Sequence, residues 1–187
     1  MLLDFLGTVA SLLATYYFIR LDRKAWLISL FATVLNAWLY WQKGIYADMA
    51  LESFYFLSTC YGWYLWRVPP ANQEAPIITK LSITQWMIIA GVISCLFIFI
   101  ISLLLVFTYS DIALLDAMTT SLSLAAQWLM CYKMIATWIL WFITDAIFAY
   151  MYFHKHIPFH CFLMTIYTIM AVIGYRTWAR RKVPQTI

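Results

Sequence analysis

Residues 2–14 read LLDFLGTVASLLA, and residues 114–126 read LLDAMTTSLSLAA. The second stretch follows the first at an interval of 112 residues, and the same interval aligns residues 2–66 with residues 114–178 without a gap. A segment that recurs at a fixed interval indicates a repeated structural unit. The chain is therefore expected to contain two copies of one unit, separated by a segment that is not repeated.

The identities between the two copies extend beyond common apolar residues. Sixteen of the 65 aligned positions are identical, and biased composition alone would give about half as many. Tryptophan and glycine pairs are the hardest to explain by chance. They are Trp26 with Trp138, Gly62 with Gly174, and Trp66 with Trp178.

The composition indicates a membrane protein. Hydrophobic residues make up 65% of the 187 residues, charged residues only 11%, and the mean hydropathy is +0.82. A soluble domain is about half apolar and a quarter charged, so this chain needs the lipid bilayer as its solvent. Met1 is followed at once by apolar sequence without a basic segment, so we expect the first helix to be retained rather than cleaved as a signal peptide.

Seven stretches are long and apolar enough to be membrane-spanning helices, each of about 20 residues. The breaks between them contain the charged and proline-rich residues. The predicted helices span residues 2–20, 25–42, 48–66, 81–107, 113–132, 135–153 and 160–178.

The basic residues predict the orientation of these helices. With seven helices, the segments 20–24, 67–80, the joint at 133 and the C-terminal tail lie on one side. That side has 10 of the 12 Lys and Arg residues, and only Lys43 and Lys155 lie opposite. Basic loops face the cytoplasm, so the N-terminus is expected outside and the C-terminus inside. The net charge of +4 is thus explained by topology, and nucleic acid is not an expected partner.

The repeat and the helix count together predict the architecture. Three helices in each copy flank a single fourth helix, which gives an all-α, 3+1+3 arrangement. One intervening helix makes the two triplets parallel, and parallel repeats around a central site are typical of transporters. The predicted segments are a first bundle at 1–66, a linker at 67–80, a connecting helix at 81–112, a second bundle at 113–178 and a basic tail at 179–187.

Two helix faces combine aromatic residues with a carboxylate inside the membrane. A charged residue there is costly and is a candidate for function. Spacings of three and four residues place each set on one face. The candidate substrate-binding residues are Trp138, Trp141, Asp145 and Phe148 in helix six, and Glu52, Tyr55, Thr59 and Trp63 in helix three.

This combination predicts a ligand that is flat and positively charged. Indole faces attract cations, and a carboxylate supplies the countercharge. Trp86 and Trp178 lie nearer helix ends, so their replacement by alanine is expected to leave ligand binding unchanged. We predict no catalytic residues, cofactor or metal. No P-loop or HExxH motif occurs, and the histidines at 154, 156 and 160 are expected to be polar residues of an outside loop rather than metal ligands.

Five motifs occur along the chain in a fixed order: Gly7-Thr8, Tyr46-Ala47-Asp48, YGWYLWR at 61–67, WILWFITD at 138–145 and GYRTW at 174–178. With these motifs, residues 4–178 resemble the nicotinamide riboside transporter (PnuC) family. The resemblance implies the fold of SWEET-like transporters and facilitated diffusion of a vitamin precursor through the bacterial inner membrane. It also implies that a cytoplasmic kinase, which need not contact the transporter, traps the vitamin. The sequence leaves a homo-oligomer open.

The departures from this family bear on the substrate. Riboside carriers tend to have amides where Glu52, Thr59, Asp145 and Ile173 stand here. Amides suit a ribose and a carboxamide, whereas carboxylates suit a cation with an aminopyrimidine. The pattern favours the thiamine-transporting branch, with nicotinamide riboside as the alternative. An alternative of another class is a membrane subunit that binds the ligand without transporting it.

The charge distribution leads to a topological prediction. A reporter fused to the C-terminus should be cytoplasmic, and a reporter at the N-terminus should be outside, because 10 of 12 basic residues share one side. Paired activity reporters, one active only in the cytoplasm and one only outside it, measure this directly. A C-terminus outside the cytoplasm would contradict both the seven-helix topology and the parallel repeat.

Overall fold

Seven α-helices are found in the described part of the chain. The computed structural model describes residues 2–43, 46–67, 78–107 and 113–181. The predicted helix number is confirmed, and each predicted boundary is within two residues of the observed one. The helices are α1 Leu2–Ile19, α2 Lys24–Lys43, α3 Tyr46–Arg67, α4 Ile83–Phe107, α5 Ala113–Cys131, α6 Ala136–His154 and α7 Pro158–Ala179.

The helices form two compact units, Met1–Ile77 and Ile78–Ile187. In the first unit α1 packs on α2 and α2 packs on α3. In the second unit α4 packs on α5, α5 on α6 and α6 on α7. The connecting helix α4 thus belongs to the second unit. Most of the predicted linker (68–77) and most of the predicted tail (182–187) lie outside the described residues.

Local sequence explains where two of the helices begin. Ser82 and Gln85 form a reciprocal capping box at the start of α4: the Gln85 N–H donates to Ser82 Oγ at 3.3 Å, and the Ser82 N–H donates to Gln85 Oε1 at 2.9 Å. Pro158 is the first residue of α7, where the missing N–H costs no helix hydrogen bond.

The turns between the first two helices of each copy have the same backbone. Leu21 has φ 59° and Lys133, its equivalent 112 residues later, has φ 54°. The Leu21 N–H donates to the Phe18 carbonyl at 3.0 Å, and the Lys133 N–H donates to the Met130 carbonyl at 3.1 Å. Three further backbone hydrogen bonds recur at the same interval. They are Asp22–Tyr17 with Met134–Leu129, Ala25–Asp22 with Thr137–Met134, and Trp26–Arg23 with Trp138–Ile135.

A tryptophan packed over a glycine also recurs in both copies. In the first unit the Trp26 ring covers Gly62, and its centroid lies 5.4 Å from that of Trp66 at an interplanar angle of 82°. Phe18 adds a second edge-to-face contact to Trp26, with the centroids 4.7 Å apart. A side chain at Gly62 would overlap the indole, so only glycine permits this approach of α3 to α2.

The second unit contains the equivalent cluster. The Trp138 ring covers Gly174, and the Trp138 and Trp178 centroids are 5.4 Å apart at 89°. Trp138 is 2% exposed and Trp178 is completely buried. Trp178 therefore packs in the core although it lies near a helix end. Its tolerance of replacement in ligand binding stays a prediction.

A short extended segment connects the start of the second unit to the turn between α5 and α6. The Thr79 N–H donates to the Lys133 carbonyl at 3.2 Å, and the Ile135 N–H donates to the Thr79 carbonyl at 3.0 Å. Thr79 and Met134 thereby form a parallel β-bridge, and Ile78 is 1% exposed. The C-terminal end of the predicted linker is thus attached to the second bundle.

By length and composition alone, three helices in the described part of the chain are suited to cross a membrane: α4, α6 and α7. No residue of α4 is buried. A helix that is apolar all round and has no fully buried residue matches a lipid environment. The more polar helices α2, α3 and α5 bury threonines and serines against their neighbours, among them Thr33, Ser58, Thr59, Thr119 and Ser121.

The tryptophan–glycine contact predicts which glycines the fold requires. Gly62→Ala and Gly174→Ala should each lower the free energy of unfolding by about 1–3 kcal/mol, because an added methyl group overlaps an indole ring. Gly91→Ala in α4 is the matched control, since no atom lies within 4 Å of an added methyl group there. Thermal unfolding of the purified variants in one detergent measures the difference, and equal behaviour of all three would contradict it.

Candidate substrate-binding site

Asp145 is a buried carboxylate near the middle of α6. It lies nine residues after the first residue of that helix, about 14 Å along the axis, and its side chain is 8% exposed. Among the described residues, no hydrogen bond or ion pair to its carboxylate is found. The adjacent Thr144 is fully buried, and its hydroxyl also lacks a partner in that part of the chain. A buried polar group without a partner is costly, so this point of α6 is suited to receive a polar ligand.

The predicted aromatic face of α6 includes two accessible rings. Trp141 is partly buried and packs against the apolar cluster around Leu122 and Leu140. Phe148 is partly buried and stacks on Tyr152, with centroids 6.1 Å apart and an interplanar angle of 18°. Both rings keep some exposed surface, as a residue that contacts a ligand must.

Trp138 has a different place from the other members of the predicted face. It is the third residue of α6, and its ring is enclosed by Gly174 and Trp178 within the second bundle. The same position in the first bundle is filled by Trp26, also buried over a glycine. This burial favours a packing role for Trp138 over the predicted ligand contact.

On α3, the structure pairs Glu52 with a residue of α2. Asn36 Nδ2 donates a hydrogen bond to Glu52 Oε1 at 3.3 Å. Glu52 also lines a groove of about 550 Å³ between α2 and α3, together with Thr33 and Ser53. Otherwise the groove walls are mainly apolar: Val34, Ala37, Trp38, Trp41, Met49, Phe56 and Leu57. This hydrogen bond was missed at the level of sequence, because it joins residues 16 positions apart on two helices.

The remaining predicted residues of α3 have different surroundings. Thr59 is 1% exposed, and its hydroxyl has no partner among the described residues. Tyr55 is partly buried. The Arg67 guanidinium lies 4.4 Å from the centre of the Trp63 ring, so one face of that indole already contacts a cation of the protein itself. Glu52 and Tyr55 therefore remain the predicted α3 residues most accessible to a ligand, whereas Thr59 is covered by its neighbours.

The two faces belong to different units: Glu52, Tyr55, Thr59 and Trp63 to the first, and Trp141, Asp145 and Phe148 to the second. Within the described residues, no three His, Cys, Asp or Glu side chains are grouped so that they could hold a metal ion. The histidines at 154, 156 and 160 are exposed. The ring of His154 contacts Tyr150, and the ring of His160 contacts Tyr152.

Comparison with known proteins agrees with this architecture. The sequence model of the family described as "Nicotinamide mononucleotide transporter" matches residues 1–180. The nicotinamide riboside transporters PnuC of Escherichia coli strain K12 and of Shigella flexneri are each 23% identical to this chain. In each case the alignment has 206 positions and covers 94% of this chain and 84% of the relative. The crystal structure of the vitamin B3 transporter PnuC superposes with a TM-score of 0.76 at 21% identity, over 95% of this chain and 80% of that one.

The fold and these matches define a seven-helix, multi-pass transporter of the inner membrane, and not an enzyme. The chain belongs to the nicotinamide mononucleotide transporter family. The predicted family and the predicted all-α membrane fold are thereby confirmed.

The unpaired Asp145 predicts a gain in stability when its charge is removed. Asp145→Leu should raise the free energy of unfolding by about 1–3 kcal/mol, because a buried polar group without a partner is replaced by an apolar one of similar size. Glu52→Leu is the matched control and should not stabilise, since it leaves the Asn36 amide without its acceptor. Thermal unfolding checks both, and a loss of stability in Asp145→Leu would show that the carboxylate supports the fold.

Proposed function

We propose that this chain carries a small, flat, positively charged vitamin across the membrane, and that thiamine is the preferred substrate. The proposal depends chiefly on Asp145, a carboxylate buried in α6 without a partner among the described residues. A cationic ligand supplies the missing countercharge. Membership of a transporter family supports movement of the ligand rather than its chemical conversion.

The aromatic residues near Asp145 fit a flat cation. Trp141 and Phe148 are partly exposed and lie one helical turn on either side of Asp145. A desolvated cation over an aromatic face gains about 0.5–2 kcal/mol. The carboxylate and the rings therefore contribute separately, the first through charge and the second through the faces of the rings.

Glu52 distinguishes between the two vitamins considered. Its carboxylate accepts hydrogen bonds only, and an aminopyrimidine presents an amino group that donates. The riboside carriers that this chain resembles tend to have an amide at the position of Glu52. An amide suits a carboxamide and a ribose. Acids at both Glu52 and Asp145 thus support thiamine over nicotinamide riboside.

Nicotinamide riboside is the second candidate. It is also a flat aromatic cation, and the relatives at 23% identity from Escherichia coli and Shigella flexneri are named as its transporters. Either cation would neutralise the Asp145 carboxylate. The two candidates are therefore distinguished mainly by the groups that they present to Glu52.

We propose facilitated diffusion, followed by trapping through a cytoplasmic kinase. No P-loop motif occurs in the sequence, so this chain has no nucleotide site to drive transport with ATP. A kinase that adds a phosphate gives the product a negative charge unsuited to a site built around carboxylates. We also propose that the N-terminus lies outside and the C-terminus in the cytoplasm, from the distribution of basic residues.

Counterflow in proteoliposomes tests transport against binding alone. Vesicles preloaded with unlabelled thiamine should accumulate labelled thiamine transiently, because a carrier exchanges ligand in both directions. A membrane subunit that only binds would retain labelled thiamine up to the amount of protein present and would exchange none across the vesicle membrane. Vesicles without protein give the background.

Substrate preference is tested with the double variant Glu52→Gln, Asp145→Asn. Wild-type protein should bind thiamine more tightly than nicotinamide riboside. In the double variant thiamine binding should weaken by about 2–5 kcal/mol, because the buried countercharge is lost. Binding of the riboside should weaken less, because the amides suit its carboxamide and ribose. Isothermal titration calorimetry with both ligands on both proteins measures the four affinities.

The outcomes of this titration separate the two assignments. Tighter binding of the riboside by the wild type would refute thiamine and support the second candidate. If neither substitution changed the affinity for either ligand, the two acids would be structural and the site would lie elsewhere.

A further inference from the structure

One amide connects all three helices of the first bundle. Asn36 on α2 donates from Nδ2 to Glu52 Oε1 on α3 at 3.3 Å. A methyl group built on Gly7 of α1 would lie only 2.7 Å from Asn36 Oδ1. The amide thus has α3 at its nitrogen and α1 at its oxygen.

The chemistry of the pair fixes which way the amide faces. A carboxylate accepts hydrogen bonds and does not donate them when ionised, and of the two ends of an amide only the nitrogen donates. The Asn36 nitrogen must therefore face Glu52, and its oxygen faces the backbone of α1 at Gly7. At 3.3 Å this hydrogen bond is slightly longer than the usual range of about 2.7–3.2 Å, so it orients the Glu52 carboxylate without holding it tightly.

The repeat shows that this cluster is not needed to build the bundle. The second copy has Thr119, Phe148 and Met164 at the positions of Gly7, Asn36 and Glu52. These three residues have neither an amide nor a carboxylate side chain. Both copies nevertheless retain the tryptophan packed over a glycine. The features shared by the copies hold the fold, whereas the Gly7–Asn36–Glu52 cluster belongs to one copy alone.

The cluster also adjoins space that a substrate can occupy. Glu52 lines the groove of about 550 Å³ between α2 and α3, and sites for small molecules have volumes of about 300–1,000 Å³. Thr33 and Ser53 are polar groups of the same lining. The carboxylate that Asn36 holds is therefore on the wall of a groove of suitable size.

We propose that Asn36 is a positioning residue that sets substrate affinity by holding the Glu52 carboxylate toward this groove, and that Gly7 leaves room for its amide. The inference rests on the proposed function, because it takes the ligand of Glu52 to be the transported vitamin. Asn36 affects substrate binding only through the position of Glu52, so its effect on affinity must disappear when Glu52 is removed.

A double-mutant cycle tests this dependence. Purified wild type, Asn36→Ala, Glu52→Ala and the double variant are titrated with thiamine and, separately, with nicotinamide riboside. In the presence of Glu52, Asn36→Ala should weaken thiamine binding about tenfold, the value of one hydrogen bond to a charged group. In the Glu52→Ala background the same change should alter affinity less than about twofold.

Two glycine variants separate positioning from packing. Gly7→Ala displaces the end of a flexible side chain and should weaken thiamine binding about threefold with little change in melting temperature. Gly62→Ala displaces an indole ring and should lower the melting temperature while the surviving folded protein keeps its thiamine affinity. The two substitutions are chemically identical, so the contrast reports on the neighbouring groups.

Each outcome decides the proposal. Non-additive losses in the cycle, together with the contrast between Gly7→Ala and Gly62→Ala, support it. Additive losses, or a Glu52→Ala variant that binds thiamine as wild type does, would overturn it while leaving the transporter assignment intact. If wild type bound neither thiamine nor nicotinamide riboside, the proposed function would fail, and the positioning role for Asn36 would fail with it.

Discussion

In each three-helix bundle an indole ring lies over a glycine, and the helices of the bundle depend on this contact. Water drives apolar helices together in a soluble protein, but lipid tails are as apolar as the helices themselves, so packing at small residues must provide the association. Trp26 over Gly62 joins α2 to α3, and Trp138 over Gly174 joins α6 to α7. Trp66 and Trp178 close the two clusters with edge-to-face contacts at 5.4 Å. Because the indoles are rigid, the distance between the paired helices is restricted at this point.

The two copies of the repeat divide the chain into a shared scaffold and unshared sites. The turn after the first helix of each copy has the same positive φ and the same backbone hydrogen bonds. The carboxylates do not follow this symmetry: Asp145 corresponds to Thr33, and Glu52 corresponds to Met164. Duplication therefore accounts for the helices and their packing, while the acids were placed in one copy each.

The two acids also differ in how the protein supports them. Glu52 has the Asn36 amide at 3.3 Å and a groove beside it, so its orientation is determined before a ligand arrives. Asp145 is buried in α6 with no partner among the described residues, so these residues do not supply a countercharge for its carboxylate. The two acids therefore offer different interactions: an oriented hydrogen-bond acceptor at Glu52 and, among the described residues, an unpaired carboxylate at Asp145.

Composition and periodicity are properties of the chain alone, and they are enough to predict the membrane environment, the seven helices, the repeat and the two intramembrane acids. Which side chains are covered depends on how the helices pack. Helical spacing placed Trp138 on the same face as Trp141 and Asp145, yet the approach of α7 at Gly174 buries Trp138 and leaves Trp141 partly exposed. The bond between Asn36 and Glu52 required α2 to pack on α3. Periodicity gives the direction in which a side chain points, whereas the neighbouring helix determines what that side chain meets.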